Sequence, residues 1–264
     1  MSIKLPEIKE MMKAGLHFGH RTSKWNPKMG KYIFGVKNNV HIFDLEKTRK
    51  TLETALKVIE ETVKKGGVVL FLGTKKQARD VIKKYAQEVE MPYVTDHWIG
   101  GAITNFVEIY KLVKKLDGLE NKKEDPDYEL KYTKRERALF DEEIEGLKVA
   151  VGGIRKLKKV PDLIYIFAVR DEKTAVREAK IKAVKTVGVC DTNVDPDNVT
   201  YPIAANDDAI KAIEMITSLV AEAVKAGKLA RNGSVSEAGG EKQGVEEEDK
   251  KQRVASKEQG KDKK

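Results

Sequence analysis

Two kinds of apolar pattern alternate along the chain, and the alternation predicts its architecture. Leu45, Leu52, Leu56, Ile59 and Val63 step by 7, 4, 3 and 4, the spacing of one helix face, with Asp44 as a cap in front and Gly66-Gly67 as a stop behind. Val68-Val69-Leu70-Phe71-Leu72 follows as an unbroken apolar strand, and Gly73-Thr74 turns into a helix through about Glu90. The run from Asp162 to Val169 predicts another buried strand, followed by a helix from Asp171. Val187 to Cys190 gives the next strand and Tyr201-Pro202-Ile203 a short one, after which Asn206 caps a last helix to Gly227. Strands apolar throughout and separated by helices belong to a parallel sheet covered on both faces. With right-handed crossovers this is a Rossmann-like three-layer α/β domain.

One segment breaks the alternation. Between Asn105 and Lys159 there are two helical patterns and no clear strand. Phe106, Ile109, Val113 and Leu116 step by 3, 4 and 3; Phe140, Ile144, Leu147, Val151 and Ile154 step by 4, 3, 4 and 3. A polar loop with Asp125-Pro126-Asp127 separates them, so narrow apolar seams at heptad spacing predict an antiparallel coiled-coil helical hairpin inserted into the α/β domain. Asn105 is placed to cap its first helix. The expected organisation is a discontinuous globular domain, residues 1–104 and 160–230, with a projecting hairpin, 105–159, and a tail, 231–264. The tail lacks Leu, Ile, Met, Phe, Tyr and Trp, and is expected to be disordered.

Charge refines this picture. The chain carries 51 Lys and Arg against 42 Asp and Glu. The tail holds nine basic and eight acidic residues, so 51 − 9 = 42 and 42 − 8 = 34 remain in residues 1–230, and the positive excess belongs to the folded body. It is densest at the N-terminus. The stretch LHFGHRTSKWNPKMGKYIFGVKNNVHIFDLEKT, residues 16–48, holds three histidines, six Lys or Arg and five aromatics, with no acid before Asp44. Cations interleaved with flat rings suit a phosphate backbone with exposed bases. Arg21, Lys24, Trp25, Lys28 and Lys31 are the candidate RNA contacts. Tyr32–Val36 and Val40–Phe43 read as a hairpin turned by Lys37-Asn38-Asn39, with Phe18, Ile33 and Phe34 inward and the cations outward.

These blocks resemble the bacterial small-subunit ribosomal protein S2 family. HFGH, WNPKM, YIFG and HIFDLEKT resemble its N-terminal signature, and HWIGGAITNF at 97–106 its second block. PDLIYIFAVRDEKTAVREA at 161–179, DTNVDPDNVTYPI at 191–203 and NDDAIKAI at 206–213 resemble the later ones, in the family's order from about residue 8 to 226. His97 stands where the family usually carries arginine, and Ala205 where many members carry glycine. The resemblance implies an α/β domain with a protruding coiled coil and a place on the solvent side of the small subunit near the head–body junction. It further implies contacts of domain and hairpin with separate rRNA helices, and help in docking ribosomal protein S1. On the hairpin it points to Lys111, Lys114 and Lys115.

Other chemistry is less well supported by the residues. Gly73-Thr74-Lys75-Lys76 joins strand to helix, where free amides favour phosphate; it lacks the full Walker pattern, so a nucleotide-dependent enzyme is the weaker reading, and Lys75 and Lys76 are candidate partners of an RNA phosphate, with a plain helix start an equal reading. His17 with Asp191, Asp195, Asp207 and Asp208 has donors for a divalent cation, but turn and capping roles explain the acids more simply, and no metal or cofactor is expected. Trp98 is expected in the core. Cys190, the single cysteine, sits in an apolar run and is expected to be a buried core residue. No catalytic constellation emerges, and the absence of a run of ~18 apolar residues or a signal-peptide core points to a cytosolic chain.

Overall fold

The computed structural model describes residues 3–232. The chain begins with α1 (Ile8–Lys13), β1 (Phe18–Arg21), β2 (Ile33–Lys37), β3 (Val40–Phe43), α2 (Leu45–Lys64), β4 (Val69–Leu72), α3 (Arg79–Glu88) and β5 (Tyr93–Val94). There follow α4 (Phe106–Lys123), α5 (Tyr128–Lys131), α6 (Lys134–Val151), β6 (Leu163–Ile166), α7 (Lys173–Ile181), β7 (Lys185–Cys190) and β8 (Tyr201–Ala204). A last helix, α8, occupies residues 210–232.

The five-stranded sheet is parallel, in the order β5-β4-β6-β7-β8. Its central strands alternate between two cores. Val69, Phe71, Leu163 and Tyr165 pack with Leu52, Leu56 and Ile59 of α2 and Ile213, Ile216 and Val220 of α8. Leu70, Leu72, Ile164 and Ile166 face the other way, toward α4, α6, α7 and the N-terminal residues Met29 and Phe43. Burial on both faces is why these strands read as continuous apolar runs. Cys190 is fully buried, and burial holds its thiol well above the ordinary range. β5 has only two residues and escaped the pattern because so short a strand has no measurable period.

Three boundaries moved for tertiary reasons. α3 starts at Arg79, not at Gly73-Thr74, because the Thr74 amide donates to Glu172 at 2.8 Å and the Lys75 ammonium reaches Asp207 at 2.7 Å. Asn206 is not the cap of α8; its Oδ1 accepts from the Asp208 amide and its Nδ2 donates to the Gly15 carbonyl, each at 2.9 Å, and the helix begins at residue 210. Nor does α8 stop at Gly227. A Cβ there would lie 2.7 Å from the Glu60 carbonyl oxygen and 2.8 Å from Val63 Cβ, so the glycine permits α2 and α8 to cross closely. Gly227→Ala is expected to cost roughly 1–3 kcal/mol of unfolding free energy despite alanine's better helix propensity. A denaturation midpoint equal to the unmodified chain's would contradict that crossing. Residues 231 and 232, assigned to the tail by sequence, continue α8; the rest of the expected tail lies outside the described residues.

α4 and α6 pack against each other through Ile109, Val113, Leu116 and Leu119 on one side and Ile144 and Val151 on the other. Lys123–Asp141 at 2.6 Å and Lys148–Glu120 at 3.3 Å tie them across the seam. Asn105 occupies the position before α4 but its side chain makes no capping bond. Thr133, by contrast, forms a reciprocal capping box with Glu136 at the start of α6.

Candidate nucleic-acid interface

The N-terminal block folds as a three-stranded antiparallel sheet, β1-β3-β2, rather than a two-stranded hairpin. Asn38 and Asn39 both have positive φ, +51° and +59°, and Lys37 pairs with Val40, which is the two-residue turn that matches strand twist. Apolar placement differs from the expectation. Met29, Phe43 and Leu16 go inward, whereas Phe18 is 48% exposed and Phe34 81%. Strands this short, with a glycine inside β1 and β2, leave one sheet face uncovered.

A polar cluster anchors this sheet to the ends of the parallel strands. Gly19 lets β1 approach the turn after β7: a Cβ there would fall 2.5 Å from Thr192 Cγ2. The His20 amide donates to Thr192 Oγ1 at 2.9 Å, and His20 Nδ1 sits 3.1 Å from Asp191 and Nε2 3.8 Å from Asp208. Lys75, 15% exposed at its side chain, lies 2.7 Å from both Asp207 and Asp208. Burial, then the Asp191 charge, push the Asp207 carboxyl up to about 6, against the pull of Lys75. The hydrogen bond to Asp191 raises His20, against desolvation. Burial opposes the Lys75 charge, but its bonds to Asp207 and Asp208 outweigh that and raise it.

His20, Asp191, Asp207 and Asp208 offer ligand atoms within 4.8 Å of one another. The imidazole in this group is therefore His20, not His17 as the sequence suggested. One imidazole with three carboxylates is an oxygen-rich donor set, and the Lys75 ammonium already neutralises two of those carboxylates. His17 and His41 are held below their ordinary range, both by burial and His17 also by Lys37. The His41 ring lies 5.1 Å from that of Trp25.

The structure separates the predicted contacts into engaged and unengaged cations. Arg21, Lys24 and Lys76 are exposed and form no ion pair among the described residues. Lys31 is exposed with its ammonium 5.1 Å from the Tyr32 ring centroid, and Trp25 is 41% exposed. Lys28 is bracketed by Asp195 at 2.8 Å and Asp197 at 2.9 Å, whose hydrogen bonds push it up to about 12. Lys75 points inward to carboxylates, so its charge is not offered to a phosphate. On the paired helices, Lys111 bridges Glu108, Lys115 pairs with Glu143, and Lys114 lies 5.3 Å from the Tyr110 ring.

Sequence reasoning missed the residue that shapes the HWIGGAITNF segment. Glu178 is buried on α7 and accepts from Trp98 Nε1 at 3.0 Å, the amides of Gly101 at 2.8 Å, Ile103 at 3.0 Å and Thr104 at 3.1 Å, and the Thr104 hydroxyl at 3.1 Å. Burial alone would raise its carboxyl; these donors together hold it below the ordinary range. Trp98 is thus half-packed and half-tethered. A glutamate among Ala175, Val176 and Ala179 on an apolar helix face was the available signal.

In this strand order a nucleotide would sit at the switch point, beyond the carboxyl ends of β4 and β6. Here Glu172 is buried at that edge, bonded to Thr74, and Asp207 lies close by with Lys75. These internally bonded side chains fill the edge, so the fold and site define a packed α/β scaffold with no catalytic constellation among the described residues.

Comparison with known proteins agrees. The sequence profile of the family described as ribosomal protein S2 matches residues 11–227. Proteins named small ribosomal subunit protein uS2 are similar: that of Fusobacterium nucleatum is 44% identical over 220 residues, covering 83% of this chain and 89% of its own length. The Helicobacter hepaticus protein is 38% identical over 245 residues, covering 93% and 92%. This chain belongs to the ribosomal protein S2 family, whose role is structural rather than catalytic. Among the described residues no helix is long and apolar enough to cross a membrane.

Proposed function

We propose that this protein is a structural constituent of the small ribosomal subunit in the cytoplasm, supporting translation by binding rRNA. The observation that carries this reading is the N-terminal sheet. Arg21 and Lys24 are exposed and, among the described residues, have no acidic partner; Lys31 and the rings of Phe18, Trp25 and Phe34 accompany them, and His20 bonds the sheet to Asp191. Its mechanism is counterion release plus base or ribose stacking, with no turnover. Lys76 extends the surface. The segment 105–159 acts as a projecting coiled-coil arm whose Lys111, Lys114 and Lys115 meet a separate rRNA helix once their internal partners exchange. The site lies near the head–body junction, and the protein helps dock ribosomal protein S1.

The test spares Lys28, because reversing it would set a third carboxylate against Asp195 and Asp197. The variant Arg21→Glu/Lys24→Glu/Lys31→Glu is expected to keep its circular dichroism and to lose co-sedimentation with small subunits. Its log-affinity for rRNA against log-salt should flatten by roughly 2–3. A folded variant that joins the particle as readily as the unmodified chain would remove the reading.

A further inference from the structure

Helix α7 presents a stripe to solvent that the fold does not need. Its inner face is Ala175, Val176, Glu178 and Ala179. Its outer face carries Lys173, Arg177 and Lys180, whose steps of 4 and 3 align them over about 10 Å. Arg170, in the turn after β6, adds a fourth cation. All four line one cleft of about 470 Å³, faced by Asn193 and Asp195 from the turn after β7 and by Asn26 from the N-terminal segment.

This arrangement is unfavourable in the free chain. Like charges three and four residues apart on a helix repel. The first turn of α7 adds Lys173, while Glu172 at the N-cap is buried and already engaged by the Thr74 amide. Among the described residues Arg170, Lys173 and Arg177 form no ion pair, while Lys180 donates to Asn198 at 3.0 Å. Asp195, the carboxylate in the lining, is already bridged to Lys28. Asn193 adds a separate signal: its side-chain nitrogen and oxygen are both buried and, among the described residues, both without a partner. A buried amide left so lacks a group that donates and accepts.

The geometry points to this cleft as a second RNA-backbone site, with phosphates against Arg170, Lys173 and Arg177 and a ribose 2′-hydroxyl on Asn193. A 2′-hydroxyl both donates and accepts, repeated at every nucleotide. An acidic polypeptide would satisfy the cations but offers no such regular partner for the amide. The inference rests on the rRNA-binding reading and deepens it by naming a surface built from α7 rather than from the N-terminal sheet.

The test uses the full chain, labelled small-subunit rRNA, a DNA strand of the same sequence and polyglutamate as competitor. Arg170→Glu/Lys173→Glu/Arg177→Glu, and the matching triple glutamine variant, are expected to weaken rRNA binding at least roughly tenfold and to flatten the salt slope by about 2. Asn193→Ala should narrow the preference for RNA over DNA. If both triple variants, folded by circular dichroism, bind rRNA as the unmodified chain does, the cleft is overturned while the N-terminal reading stands. If polyglutamate displaces rRNA from the cleft as well as unlabelled rRNA does, the RNA assignment is overturned. If the unmodified chain shows no salt-dependent rRNA binding, both readings fall.

Discussion

Lys75→Met is expected to destabilise the fold by about 3–5 kcal/mol at pH 7.5 and by clearly less at pH 5. The substitution keeps the stem and removes the cation that lies 2.7 Å from both Asp207 and Asp208, leaving these and Asp191 facing one another in a mostly buried site. Asp207 already holds its proton up to about pH 6 with Lys75 present. Because the folded chain binds that proton more tightly than the unfolded one, stability from this group falls as pH rises from the ordinary carboxylate range toward 6. Without Lys75 the carboxyl rises further, so acid relieves the repulsion. His20 acts in the same direction: its raised value means its stabilising charge is complete below its ordinary value of 6.5 and is lost as pH rises through the folded one. Chemical denaturation at the two pH values measures the difference. Equal losses at both would show that the cluster is not electrostatically coupled.

The second large effect is at Glu178. Glu178→Ala removes the acceptor of five hydrogen bonds from the loop that leads into α4. Each orphaned buried donor costs about 1–3 kcal/mol, and with water reaching the half-exposed ones a total near 3–5 kcal/mol is expected. Tryptophan fluorescence should report release of the Trp98 indole before global unfolding. In the unmodified chain the lowered carboxyl contributes stability above the ordinary glutamate range, lost as pH falls through its folded value. If Glu178→Ala unfolds at the same denaturant concentration as the unmodified chain, the carboxylate is incidental to the loop.

Legibility in the sequence tracked how local the cause was. The strands Val69–Leu72 and Leu163–Ile166 announced themselves because burial on both faces demands unbroken apolar runs. Asp44 was readable as a cap because its carboxylate bonds the Glu46 and Lys47 amides within one turn. The acids Asp191, Asp207 and Asp208 read as turn and cap residues, and part of that is so, since Asp191 accepts from Thr192 and Asn206 from Asp208. Their gathering around His20 and Lys75 was not readable. It requires β1, β4, β7 and β8 to end at one place, a consequence of strand order that no local window contains.

The same division runs through the functional surface. Composition and order alone established a basic, ring-bearing N-terminal block on an α/β scaffold, because charge density and apolar period are properties of neighbouring residues. They could not say which cations are free. Lys28 looked as available as Lys24 until the fold brought Asp195 and Asp197 to it across more than 160 positions of chain, and the cleft that Lys173 and Arg177 share with Asn193 has no trace in any local window of sequence. A charge acquires its partner through space, and the path that brings the partner there is set by packing of the whole sheet.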